Sequence, residues 1–143
     1  MRRVFLFAAA LAIALSGLPA SVFAASIVAR IDVSAQTMTV SRSGRVIHRW
    51  RISTARKGYI TPRGSYRPTR MHKMWHSRKY DMSPMPYSIF YHRGYAIHGT
   101  NYVKSLGRPA SHGCVRLDTA NAARLYSLVK QAGPKNTRIV VVN

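Results

Sequence analysis

From Ser26 onward the 143-residue chain advances in short period-two runs, each closed by turn residues, and a single stretch keeps helical spacing. That pattern restricts the fold to a mainly β architecture with one packed helix. Ile27, Ala29, Ile31 and Val33 alternate with Val28, Arg30 and Asp32, the signature of a half-buried strand. Ser34-Ala35-Gln36 turns the chain. Met38 and Val40 resume the alternation up to Ser41-Arg42-Ser43-Gly44, where glycine offers positive φ. Val46 to Thr54 reads as a third strand, completing a meander.

Ala55 to Arg70 holds turn chemistry, Lys57-Gly58 and Thr61-Pro62-Arg63-Gly64, before a short strand near Tyr66. Residues 71–86 read as the least regular part, a substrate-flanking loop rich in Met and aromatic residues and interrupted by two prolines. Tyr87 to Tyr91 and Tyr95 to His98 form two strands joined through His92-Arg93-Gly94, which places His98 at a strand end. Asn101 to Ala110 is a loop. Asp118 is a good N-cap, and Ala122, Leu125, Val129 and Ala132 keep helical spacing until Gly133-Pro134 stops it. Thr137 to Val142 is a closing buried strand. No repeat, low-complexity segment, P-loop or GxGxxG occurs.

The amino terminus carries Arg2 and Arg3, an apolar run from Val4 to Leu15, and small residues ending at Ala24. These are the regions of a secretory signal peptide, in an apolar run too short for a comfortable membrane span. The expected organisation is a leader over 1–24 and one domain over 25–143, exported to the periplasm or cell wall, with no membrane span after cleavage. No cysteine follows the leader closely, which excludes a lipoprotein. Without Arg2 and Arg3, 21 basic residues face three acids, Asp32, Asp81 and Asp118, a net +18. Such a field attracts polyanions. Export and the absence of any Lys/Arg block or reading module argue against nucleic acid, leaving wall polymers, lipid headgroups and substrate carboxylates.

Cys114 is the only cysteine, so it forms no internal disulfide. It sits in Ser111-His112-Gly113-Cys114-Val115-Arg116-Leu117, sixteen residues after His98 in Ile97-His98-Gly99-Thr100. An unperturbed thiol is roughly 3% ionised at neutral pH, and a histidine can take its proton and return it to a leaving amine. Lowering the thiol pKa by about two units needs ~2.7 kcal/mol, within reach of an imidazolium and a guanidinium. Arg116 lies two residues on, so in an extended segment it points the same way as Cys114. Gly113 keeps a Cβ away from backbone N–H groups that would face an oxyanion. A zinc site on His98, His112 and Cys114 is the rival reading. A metallised thiolate is a poor nucleophile, and no carboxylate stands by as support.

The ordered pair of motifs, with Met85-Pro86-Tyr87 and Thr61-Pro62-Arg63-Gly64, resembles the L,D-transpeptidase catalytic domain family (YkuD, or ErfK/YbiS/YcfS/YnhG) over nearly all of the chain after the leader. The resemblance implies a β-sandwich of mixed sheets with one α-helix packed after the catalytic cysteine. It implies Cys114 as nucleophile and His98 as base, oriented by the Gly99 carbonyl in place of a carboxylate. Ser111, His112 and Gly113 would support the site and its oxyanion, and Arg116 would grip a substrate carboxylate. It implies peptidoglycan stem peptides as donor, with a second stem, a protein, a D-amino acid or water as acceptor, and neither cofactor nor metal. An L,D-carboxypeptidase, a cross-link-cleaving amidase and a non-catalytic basic wall-binding protein are the alternatives.

Overall fold

The computed structural model describes residues 26–143; the expected leader lies outside them. Among the described residues nine strands form two mixed sheets. The first sheet contains β1 (Ile27–Asp32), β2 (Thr37–Arg42), β3 (Arg45–Arg51), β4 (Gly64–Tyr66) and β9 (Thr137–Val142), in the order β3-β2-β1-β9-β4. The second contains β5 (Arg70–Ser77), β6 (Ser83–His92), β7 (Tyr95–Thr100) and β8 (Val115–Asp118), in sequence order. Pairing is antiparallel except for β1 with β9 and β7 with β8. The one α-helix among the described residues, α1, Thr119–Ala132, begins where β8 ends.

The core follows from the period-two pattern. Ile27, Ala29 and Ile31 of β1 and Met38 and Val40 of β2 face inward. They meet Ile89 of β6, Ile97 of β7, Val115 and Leu117 of β8, and Ala122, Leu125 and Val129 of α1 in one cluster. The Asp118 side chain accepts the Ala120 N–H at 2.9 Å, capping α1, and Gly133 closes it with φ +87°.

Three expectations change. Residues 71–86 are not a loop: β5 and β6 pair from Arg70↔Phe90 to Ser77↔Ser83, with a tight turn over 78–82. Pro84 and Pro86 are tolerated because β7 pairs β6 only from Ile89 to His92, so this part of β6 has a neighbour on one side alone. The third strand stops at Arg51 rather than Thr54. Ser53 leaves the first sheet to exchange hydrogen bonds with Arg116, Ser53 N–H to O at 3.0 Å and Arg116 N–H to O at 2.8 Å. Finally, His98 lies inside β7 rather than at its end, because the parallel ladder with β8 continues to Thr100↔Asp118.

Candidate active site

The β7–β8 ladder determines which side chains meet. Ile97 pairs with Val115 and His98 with Arg116, which sets Ala96 beside Cys114 one position back. Alternation then puts Ala96 and His98, Cys114 and Arg116 on one face. His98 and Cys114 are diagonal neighbours there, about 7 Å apart at their backbones, a gap that imidazole and thiol can close. His98, Cys114 and Arg116 all line one cleft of about 770 Å³.

His98 is buried, at 7% exposure, and its Nδ1 lies 2.7 Å from the Gly99 carbonyl oxygen. A carbonyl only accepts, so Nδ1 carries the proton and Nε2 keeps the lone pair for chemistry. Burial lowers the imidazole pKa to about 4; the Gly99 hydrogen bond opposes this and the Arg116 charge adds to it. Burial pushes the Cys114 thiol up, against the Ala96 N–H and the Arg116 charge, which favour thiolate. This suits a histidine that takes the thiol proton during attack rather than beforehand. Both charged forms are penalised by the same desolvation, each pK unit of separation costs about 1.4 kcal/mol, and the resting pair is neutral.

The motif loop is held from within by Ser111 and from outside by Thr61. Ser111, fully buried, donates its Oγ to the Cys114 carbonyl at 2.6 Å and accepts the Gly113 N–H at 3.0 Å. The Gly113 N–H is thus already engaged by Ser111 and is not free to face an oxyanion. Gly113 is needed for another reason. Its φ is +133°, and a Cβ there would lie 2.6 Å from Tyr95 Cε1 and 2.8 Å from the Ile60 oxygen. Gly99 is equally confined, since a Cβ would come within 2.9 Å of Thr119.

From outside the motif, buried Thr61 donates its hydroxyl to the Gly113 carbonyl at 2.8 Å and accepts the Ala55 N–H at 3.0 Å. His112 stacks on Tyr80 at 4.2 Å and meets the edge of Tyr59 at 4.8 Å. Its Nε2 lies 3.0 Å from Arg56 Nη2. Burial and then the Arg56, Arg116 and Lys79 charges hold its pKa below the ordinary histidine range.

No Asp or Glu lines the cleft. Among the described residues no three His, Cys, Asp or Glu side chains converge on a metal position, so His98, His112 and Cys114 are not brought together as ligands.

The family model for the L,D-transpeptidase catalytic domain, YkuD, matches residues 26–141. The chain belongs to that family. YkuD of Bacillus subtilis (strain 168), which carries an L,D-transpeptidase name, is 26% identical over 115 residues, covering 78% of this chain and 63% of that protein. An L,D-transpeptidase structure from Mycobacterium smegmatis is 25% identical with TM-score 0.72, covering 83% of this chain and 59% of that one. The structure of the LD transpeptidase LdtMt1 in complex with imipenem is 25% identical with TM-score 0.73, over 82% and 59%. The chain thus spans about three fifths of the length of these relatives. Two mixed sheets and one helix are the L,D-transpeptidase fold expected from the motifs.

Of the residues the motifs single out in this L,D-transpeptidase domain, His98, Gly99, Ser111, His112, Cys114 and Arg116 all line the cleft. The sequence did not reveal the Thr61 clasp on Gly113, nor Tyr80 reaching His112 from the 78–82 turn. The Thr-Pro-x-Gly turn was the one signal for Thr61, and a hairpin corner would carry the same residues.

Proposed function

We propose that the domain is a cysteine-dependent L,D-transpeptidase acting on peptidoglycan stem peptides. The observation that carries this reading is the His98 Nδ1–Gly99 contact, which leaves Nε2 basic on the face that holds Cys114. As Sγ attacks the amide between an L-centre diamino acid and a terminal D-residue, Nε2 takes the thiol proton. The N–H groups of His112 and Cys114 meet the developing oxyanion. Collapse breaks the C–N bond, the imidazolium returns the proton to the leaving amine, and the terminal D-residue departs, leaving a thioester. An acceptor amine then attacks, loses a proton to Nε2, and expels the thiolate, which regains the proton. If water is the acceptor, the product is that of an L,D-carboxypeptidase.

Arg116 suits the carboxylate of the departing D-residue. It is half-buried in a cleft without acids, with burial lowering its pKa. The reading requires an extracytoplasmic setting for wall contact, which the 1–24 leader pattern would provide by export; no helix among the described residues is long and apolar enough to cross a membrane.

The test is turnover of a stem peptide followed by release of its terminal D-residue. Wild type should release it and Cys114→Ala should not, and Arg116→Ala should lose most of the preference for the free-acid terminus over its amide, a charge-assisted contact worth ≈ 1.5–3 kcal/mol. Arg116→Lys should fall between them, keeping charge without the fork. Turnover by Cys114→Ala above background contradicts the mechanism. Equal slowing of acid and amide in Arg116→Ala assigns Arg116 to tuning the thiol.

A further inference from the structure

Across the second sheet one row of partners runs from β5 to the thiol: Arg70 pairs with Phe90, Phe90 with Ala96, and Ala96 lies beside Cys114. The row lies along the cleft, whose lining includes Arg70, Phe90 and Cys114. The Arg70 guanidinium sits over the Phe90 ring, 3.9 Å from its centroid, and 5.0 Å from that of Trp75. Phe90 and Ala96, with Met85, form the small apolar cluster on which Cys114 and Trp75 pack. We propose that Arg70 is a second carboxylate-binding residue, which reads the side-chain carboxylate of the donor's diamino acid. It rests on the transpeptidase reading above.

Stacking engages the face of a guanidinium and leaves its in-plane N–H donors free, and the rings fix its orientation in advance. No carboxylate of the chain lines this cleft to neutralise the charge. Three strand spacings separate Arg70 from Cys114, about 14 Å at the backbone, of which the arginine side chain covers roughly half. The remaining gap is about 7 Å. In a diamino-dicarboxylate whose L-carbonyl is attacked, six zigzag bonds of ~1.5 Å place the second carboxylate about 7 Å from that carbonyl. Arg116 lies in a different direction, along β8, beside the departing residue. The cleft therefore holds two guanidiniums for two carboxylates, and a lysine-type diamino acid, which has no second carboxylate, leaves Arg70 without a ligand.

The experiment measures binding, free of turnover, on Cys114→Ala protein by calorimetry. Three stem peptides are compared, all with a free terminal carboxylate: one with the diamino acid's side-chain carboxylate free, one with it amidated, and one with lysine in that position. Amidation or lysine should weaken binding on the order of ten- to a hundredfold when Arg70 is present. Arg70→Ala in the same background should bind all three alike, at the level of the weak pair, and Arg70→Lys should restore part of the difference. Circular dichroism on each variant establishes that it is folded. Discrimination that persists undiminished in folded Arg70→Ala, or no discrimination with Arg70 present, overturns the assignment. Wild-type protein that discriminates in binding but releases no D-residue would contradict the transpeptidase reading and leave the Arg70 site standing.

Discussion

His98 links the chemistry of the site to the stability of the fold. Its folded pKa is about 4 against an ordinary 6.5, so between those values the unfolded chain takes up a proton that the folded chain refuses. The contribution to stability is intact above pH 6.5, erodes as pH falls, and is fully lost once pH passes below about 4. At 1.36 kcal/mol per unit the full loss is about 3 kcal/mol. Denaturant unfolding of wild type and His98→Gln from pH 7.5 to 4 should show the steeper decline in wild type; parallel curves would mean that the buried imidazole titrates normally. At this scale the motif residues were legible because each is fixed in sequence by chemistry: one thiol, two histidines each followed by glycine, one arginine two residues past the thiol. The protonation state was not legible, since burial that raises the thiol and lowers the imidazole comes from distant side chains.

Elements were legible where a period and its stop signals coincide. The helix from Asp118 to Gly133 and the first two strands needed only alternation or 3.6-residue spacing with a cap. The β5–β6 hairpin was hidden by its prolines, which forbid a central strand but not one with a free side. The contacts that hold the motif loop were hidden as well, because Thr61 and Gly113 are brought together by folding across 52 residues. Thr61→Val keeps the volume and removes both hydrogen bonds, leaving the Ala55 N–H and Gly113 carbonyl without their partner. It should lower stability by about 1–3 kcal/mol. Because the loop carries Cys114, turnover should fall further than the loss of folded protein explains, measured as kcat on the folded fraction. A Thr61→Val protein as stable and active as wild type would make the clasp incidental. Gly113→Ala should be harsher: positive φ and the Tyr95 contact together cost about 3 kcal/mol or more, read as a lowered unfolding midpoint.

For the whole molecule the governing quantity is charge. Two of the three acids serve the backbone: Asp32 accepts from Ser34 and Ala35, and Asp118 caps α1. That leaves a field suited to anionic wall polymers and to substrates carrying carboxylates. Retention on an anionic wall polymer should be strong at 0.01 M ionic strength and fall steeply by 0.15 M, as the Debye length drops from about 30 to about 8 Å. Retention indifferent to salt would point to a specific apolar contact instead.

Acyl transfer onto Cys114 with His98 as base can be tested with a carbapenem, without any assumption about the acceptor. Attack on the β-lactam carbonyl opens the ring without a leaving group, so intact mass should rise by one whole imipenem. Peptide mapping should place the adduct on Cys114. Cys114→Ala should remain unmodified, and His98→Ala should acylate 10²–10⁴-fold more slowly. Wild type that stays unmodified at saturating imipenem, or Cys114→Ala that gains the same adduct, would contradict the account.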